Sequence, residues 1–285
     1  MNCFNVVSKG PKIRAVGGEI SFYKNYVIHQ FKTTGITDTF LPYSDIELEY
    51  LVIAGGGGGG GNKGAGGGAG GYRCSVPNEY SGGLSDPEDK LTILKKVSKD
   101  VIIGEGGTYL LSDGSVPESK RGTNGYNTTF DSIVSIGGGC GAGGGVATGR
   151  GQGDTGGSGG GSTTYYTSHG IVSGGLGTTN QGFNAGSAYS SVNATFTATG
   201  GGGAGGSSPN LTTSNRYDGV GGVGIESSIT GFPLFRAAGG SSDVCSIKSS
   251  DIGGTYNSDP LQNTGSGGGA NRKGADGIVI VRYRN

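Results

Sequence analysis

Two histidines, four cysteines and a scatter of loop tyrosines are the side chains in this sequence that could do chemistry. His29 lies in Y-V-I-H-Q-F, which reads as a strand, and His169 lies far away in a polar stretch. A catalytic histidine needs a partner within hydrogen-bond reach, and the sequence nominates none. A lone histidine is more often a packed or surface residue. Cys3, Cys74, Cys140 and Cys245 are widely separated, with no C-x-x-C and no Cys/His cluster. That spacing implies neither zinc nor, in a chain of this length, a disulfide framework. Four reduced thiols acting as small apolar residues fit it. Accidental G-x-G-x-x-G matches fall in residues 55–71 after a strand pattern. No helix pattern follows, and glycine is a poor helix former, so the phosphate-binding context is missing. There is no G-x-x-x-x-G-K-[ST] sequence. The sequence therefore names no catalytic residue, cofactor or metal ligand, and it reads as non-enzymatic.

Binding is better represented. Tyr165, Tyr166, Tyr189 and Tyr217, with Tyr256, sit in polar loops. Tyrosine offers contact area at low entropic cost, which suits a recognition surface. The plainer reading is that these rings cover a layer of glycine. The Ser/Thr/Tyr loops at 162–190 and 207–218 are the candidate interaction loops. Lys plus Arg and Asp plus Glu each number 21, so no bulk electrostatic term favours nucleic acid or an anionic membrane. RGG repeats and an aromatic RNA-recognition signature are lacking, which disfavours an RNA-binding glycine-rich protein. Arg272, Lys273, Arg282 and Arg284 read as a solvated edge. No stretch approaches the ~20 apolar residues of a membrane span. The sequons at Asn127, Asn193 and Asn210 are expected by chance in a Ser/Thr-rich chain.

The elements that must position these loops are unusual. The sequence holds 67 glycines and 8 prolines among 285 residues, a composition that ordinarily suggests low complexity. A collagen-like Gly-X-Y period is missing, and 14 Tyr, 9 Phe and several Val/Ile runs argue against disorder. Residues 47–72 set the pattern: E-L-E-Y-L-V-I-A, seven consecutive glycines, then N-K-G-A-G-G-G-A-G-G-Y. A β-rich run feeds a glycine run here, and again near residues 101–104, 133–137, 196–200 and 235–239. The spacing is too irregular for a solenoid. Residues 90–103 could be a helix on periodicity, but their β-branched content favours strands. Residues 33–42 read as a turn-rich bridge, and the apolar run 278–281 suits a strand buried on both faces. Extended glycine can form a left-handed helix of three residues per turn with outward-pointing amides, and seven residues of it span about 22 Å. Such helices need neighbours. Gly55, Gly58, Gly61, Gly67, Gly138 and Gly201 are expected to form a structural glycine core. The expected domain layout is a leader at 1–12, without the apolar core of a secretory signal, and a single glycine-rich β-sandwich at 13–285.

The non-glycine blocks Y-V-I-H-Q-F-K-T-T-G, L-E-Y-L-V-I-A, G-A-G-G-G-A-G-G-Y-R, V-G-G-V-G-I-E-S-S-I-T-G, L-F-R-A-A-G-G and G-I-V-I-V-R-Y-R recur in this order over residues 20–284. Their order resembles a family of glycine-rich domain proteins common in phages and other viruses. It is also similar to the glycine-rich region of certain receptor tyrosine kinase ectodomains, in which a TNF-like jelly roll carries a bundle of polyglycine helices. Phage tail-tip adhesins with related bundles recognise host receptors. The resemblance implies an all-β, jelly-roll sandwich with a polyglycine II layer. It implies a virion structural protein of the tail-fibre or spike type, with host attachment as its role. A minor capsid or cement protein is the alternative, and a cellular glycine-rich surface or RNA-binding protein a further one. Expected partners are other virion proteins, a host receptor or glycan, and further copies of the chain, a trimer by analogy. Glycine blocks after Gly145 are diluted with Ser, Thr and Asn, which predicts a smaller bundle than in richer members.

Overall fold

A computed structural model describes residues 12–109, 121–144, 151–164, 170–190, 197–211, 219–243 and 245–284. Strands, nearly all short, carry the regular structure. They are β1 (Ala15–Val16), β2 (Glu19–Tyr23), β3 (Tyr26–Phe31), β4 (Thr37–Pro42), β5 (Ile46–Ile53), β6 (Tyr72–Cys74), β7 (Leu91–Ile93), β8 (Lys99–Ile102), β9 (Thr128–Phe130) and β10 (Ile133–Ser135). After these come β11 (Thr163–Thr164), β12 (Gly170–Val172), β13 (Ala188–Ser190), β14 (Thr197–Ala198), β15 (Ile225–Ser227), β16 (Leu234–Arg236) and β17 (Ile278–Arg284). Residues 90–103 hold two strands, β7 and β8, joined by a turn, as their β-branched content suggested. The supposed bridge at 33–42 is partly a strand: in β4 Phe40 is buried while Thr37 and Thr39 face outward. Its polar outer face hid it.

Two antiparallel sheets pack as a β-sandwich. One has the order β2-β3-β17-β5-β6, with β7 also pairing β5; the other has the order β1-β4-β8-β9-β10. Alternation along each strand sorts the side chains. Val27, Phe31, Leu48, Tyr50, Val52, Val279 and Val281 project between the sheets, against Phe40, Val101 and Phe130. Phe40 meets Phe130 edge to face, ring centroids 6.2 Å apart. The other face of the six-stranded sheet is also buried. Ile28, Leu51, Ile53, Ile278 and Ile280 pack there with Ala69, Ala204 and Ala237, and with Ile225 of the β15–β16 hairpin. The continuous apolar run in β17 follows from this double burial.

Beyond the sheets the chain forms a second layer from extended glycine segments. In the run 55–61 the amides of Gly55 and Gly58 donate to the carbonyls of Tyr126 and Thr123 at 3.1 and 3.0 Å. Those of Gly56 and Gly59 reach Ala275 and Arg272 at 2.9 and 3.0 Å, and those of Gly57 and Gly60 reach Gly68 and Ala65 at 2.8 and 2.9 Å. The direction of bonding therefore repeats every three residues, not every two as in a strand. Each partner number falls by three as the run advances by three, so these neighbours are antiparallel. The carbonyls point to further segments. Gly55, Gly58 and Gly61 accept from Gly138, Gly141 and Gly144, while Gly57 and Gly60 accept from Gly268 and Asn271. Those neighbours are parallel.

The run 65–71 behaves alike. Ala65, Gly68 and Gly71 donate to Ala142, Gly139 and Ile136; Gly66 and Ala69 donate to Thr199 and Gly202; Gly67 and Gly70 donate to Gly268 and Gly265. The later, diluted blocks are built into the same network. Ser158 donates to Ala69 at 2.9 Å, and Gly201 to Gly240 at 2.9 Å. Dilution therefore does not remove those segments from the layer. Where glycine gives way to serine or threonine, the hydroxyl joins in: Ser208 Oγ donates to the Gly200 carbonyl at 2.6 Å.

Two measurements test this layer. Amides of residues 55–60 and 65–71 should exchange slowly, as those of core strands do; exchange at unfolded-peptide rates would contradict the hydrogen-bond network. At Gly58 a Cβ would lie 2.1 Å from the Thr108 carbonyl oxygen. Gly58→Val should therefore cost about 3 kcal/mol or more, read as a large fall in melting temperature; unchanged thermal stability would refute the close packing.

Candidate functional site

The six glycines marked in the sequence belong to one body. Gly138 donates to the Gly55 carbonyl at 2.9 Å, and Gly58 and Gly61 accept from the same neighbouring segment. A Cβ on Gly201 would meet the Gly67 carbonyl oxygen at 2.1 Å. Of the candidate tyrosines, Tyr189 and Tyr256 fall among the described residues. Tyr165, Tyr166 and Tyr217 lie outside the described residues. Tyr189, on β13, is 38% exposed and sits opposite Ile171 of β12, itself 69% exposed. Tyr256 is also exposed, and its carbonyl accepts from Arg272 Nε at 3.0 Å.

What the structure does bring together is the backbone of the two candidate loops. Leu211 donates to the Ser187 carbonyl at 2.9 Å, and Tyr189 donates to that of Leu211 at 3.0 Å. The Gly186 amide donates to Ser208 Oγ at 2.7 Å. Between the loops lies an open groove of about 590 Å³, lined among others by Thr179, Phe183, Asn184, Ser187, Ser207 and Asn210. None of its described lining residues is ionisable. Two asparagines set its polarity. Asn184 Oδ1 accepts from the Gly177 amide at 2.8 Å, and Asn210 Oδ1 accepts from the Ser187 amide at 2.7 Å. A backbone N–H can only donate, so each carboxamide is fixed with its oxygen turned to the loop. Its Nδ2 remains as a donor with no partner among the described residues. The sequence marks Asn210 only as a chance sequon and does not single out Asn184, because Asn in a Gly- and Ser-rich loop ordinarily signals a turn. Here it caps the loop and also presents a donor.

The remaining polar clusters close on themselves. Arg73 Nε and Nη2 bind both carboxylate oxygens of Glu88 at 2.8 and 2.6 Å, and Tyr50 OH donates to Glu88 at 2.8 Å. Burial, reinforced by that carboxylate, raises the Tyr50 pKa. Glu49, 5% exposed, takes Arg282 Nε at 2.7 Å and Lys90 Nζ at 3.3 Å. Arg282 is thus a packed ion-pair partner rather than a freely solvated cation, since its guanidinium also stacks 4.5 Å from the Tyr26 ring. Cys74, Cys140 and Cys245 are buried free thiols. Burial pushes the Cys74 and Cys140 thiols up to about 12, so neither offers a thiolate at neutral pH.

His29 is fully buried in the sandwich core. Its Nδ1 lies 2.7 Å from the Gly17 carbonyl, which can only accept, so Nδ1 carries the proton. Nε2 then accepts from Tyr283 OH at 3.3 Å, and Tyr283 OH accepts from the Arg14 amide at 3.0 Å. This chain of bonds ties the β1 end of the chain to β3 and β17. Among the described residues, no three His, Cys, Asp or Glu side chains are grouped to hold a metal ion. No described helix is long and apolar enough to cross a membrane.

A family model described as a glycine-rich domain matches residues 32–284. No curated protein matches the chain.

Desolvation lowers the His29 pKa below 6.5, outweighing the Gly17 hydrogen bond. The unfolded chain therefore binds the proton more readily. The stabilisation from neutral His29 is complete above about pH 6.5 and is lost as pH falls from there towards the depressed folded-state value. Melting curves between about pH 7 and about pH 5 should show this loss. It should shrink in His29→Gln, which can still donate to Gly17 but does not titrate. An identical pH slope in the variant would disprove it.

Proposed function

This chain belongs to the glycine-rich domain family, and on that premise we propose that it is a non-enzymatic structural protein of a virus particle, of the tail-fibre or spike type, acting in host attachment. The observation that carries this reading is the groove between 177–187 and 207–210, a recognition-type surface standing on a closely hydrogen-bonded layer. The layer supplies rigidity without side chains, and the loops supply contact chemistry.

Two finer points of architecture belong to the same proposal. The glycine runs are polyglycine II helices, a reading supported by their three-residue bonding repeat and by neighbours lying both parallel and antiparallel. The sandwich is a TNF-like jelly roll, supported by its two packed antiparallel sheets. In this reading residues 13–285 form one domain. The chain assembles with other virion proteins and as a homo-oligomer, a trimer in this reading.

Immunogold electron microscopy on particles from the source organism, with antibody to this chain, tests the placement. Label is expected at fibre or tail tips. Label spread over the shell would replace attachment by a minor capsid or cement role. Absence of label from every particle would overturn the viral reading and favour a cellular surface or RNA-binding protein.

A further inference from the structure

We propose that the groove between residues 177–187 and 207–210 binds an uncharged saccharide through the two oriented carboxamides of Asn184 and Asn210. This deepens the attachment reading by naming the ligand class of that surface, and it rests on that reading only for where the groove is displayed. Three observations select the ligand. First, the donors are preorganised. Each Oδ1 is held by a loop amide, at 2.8 Å from Gly177 N for Asn184 and 2.7 Å from Ser187 N for Asn210. Each Nδ2 is thus fixed without a partner among the described residues, and binding costs little side-chain ordering. Second, the side chains of Thr179, Ser187 and Ser207 add hydroxyls that both donate and accept. Sugar hydroxyls also donate and accept, so mixed partners of this kind satisfy them. Third, Phe183 is the one aromatic ring of the lining among the described residues, and it offers an apolar surface to the C–H face of a pyranose.

The same lining argues against other ligands. Among the described residues it contains no Lys, Arg, Asp or Glu, so against these residues a sialic acid, a uronate or a phosphate would be desolvated without a counter-charge. The Arg73 guanidinium, in an adjoining groove that shares Thr179, is already bound by both oxygens of Glu88. Among the described lining residues a peptide would find a single large apolar side chain to anchor on, fewer than the cluster of anchors a peptide or protein interface uses.

The test uses the full chain on an array of neutral and acidic glycans, followed by titration of the tightest neutral oligosaccharide. Neutral glycans should be retained and their sialylated counterparts not. Asn184→Asp and Asn210→Asp keep the oxygen that caps the loop but turn the donor into an acceptor. Each should weaken binding at least about tenfold with an unchanged melting temperature. Ser207→Ala, which removes an exposed hydroxyl, should fold normally and weaken binding less, so the test survives if an Asp variant misfolds. Retention of acidic glycans alone, of peptides alone, or of no glycan would overturn the proposal, as would full affinity in the Asp variants. Tip labelling of particles without glycan retention would sink this inference and leave the attachment reading standing. Glycan retention with label over the shell would do the reverse.

Discussion

At Gly57 the amide donates to Gly68, the carbonyl accepts from Gly268, and a Cβ would lie 2.2 Å from the Gly139 carbonyl oxygen. Three neighbouring backbones therefore crowd one residue, and the space a side chain would need is already occupied by a main chain. The same holds along the run: at Gly56, Gly59 and Gly60 the intruding atoms are carbonyl oxygens of Ser266, Gly269 and Ala142, at 2.2 Å or less. A sheet satisfies a strand from two sides. Here bonding repeats every three residues and satisfies a segment from all around, which requires that nothing project beyond Cα. Glycine loses about 1 kcal/mol more conformational freedom than alanine on ordering. A typical buried hydrogen bond contributes about 1 kcal/mol net, so bonding alone roughly offsets that excess. An isolated glycine bundle would gain little, and something else must hold the segments in register.

The sandwich supplies that hold. Ile53, Tyr72 and Ile278 stand side by side across β5, β6 and β17. The chain leaves β5 into 55–61, returns through 65–71 into β6, and enters β17 from 265–277. In the second sheet β8 runs out at Ile102 and β10 at Ser135, each followed within two residues by glycine, while β9 starts just after Gly125. Every one of these glycine segments is therefore clamped at one end by a strand with a fixed register. Leu51, Ile53, Ile278 and Ile280 then pack against Ala69, Ala204 and Ala237 of the layer. Hydrophobic burial secures the near end of the layer, and backbone bonding carries the order outward from there.

This division of labour explains which parts could be read in the sequence. Strands with an apolar face announce themselves, as in β5 and β17, and His29 sits on the side of β3 that alternation assigns it, with Val27 and Phe31. β4 does not, because a strand whose outer face is Thr37 and Thr39 resembles a turn. The partners of each glycine segment are illegible for a stronger reason. Specific pairing is normally written in side chains, and these segments have few, so register comes from strands lying elsewhere in the chain. The Ser and Thr positions looked like loss of the pattern but serve it. Thr199 Oγ1 accepts from the Ser162 amide at 2.8 Å, and Ser162 Oγ accepts from the Ala188 amide at 3.0 Å. Each hydroxyl stands in where a carbonyl would otherwise be needed.

A layer built this way also limits where function can reside. At its close-packed glycine positions backbone groups are committed to each other and a side chain finds no room, and the side chains the layer does admit, such as Ala69, Ser158 and Cys140, are buried. Recognition is confined to segments that leave the layer and return, where side chains regain space. Residues 177–187 and 207–210 are such segments, and their mutual bonds through Ser208, Asn210 and Leu211 brace the loops from below. Sequence change at Thr179, Phe183 or Ser207, on the open side of those bonds, alters the contact surface and leaves the glycine network beneath it intact. The steric rule that excludes a Cβ at these glycine positions therefore leaves the loops free to vary, which is the property the proposed attachment surface needs.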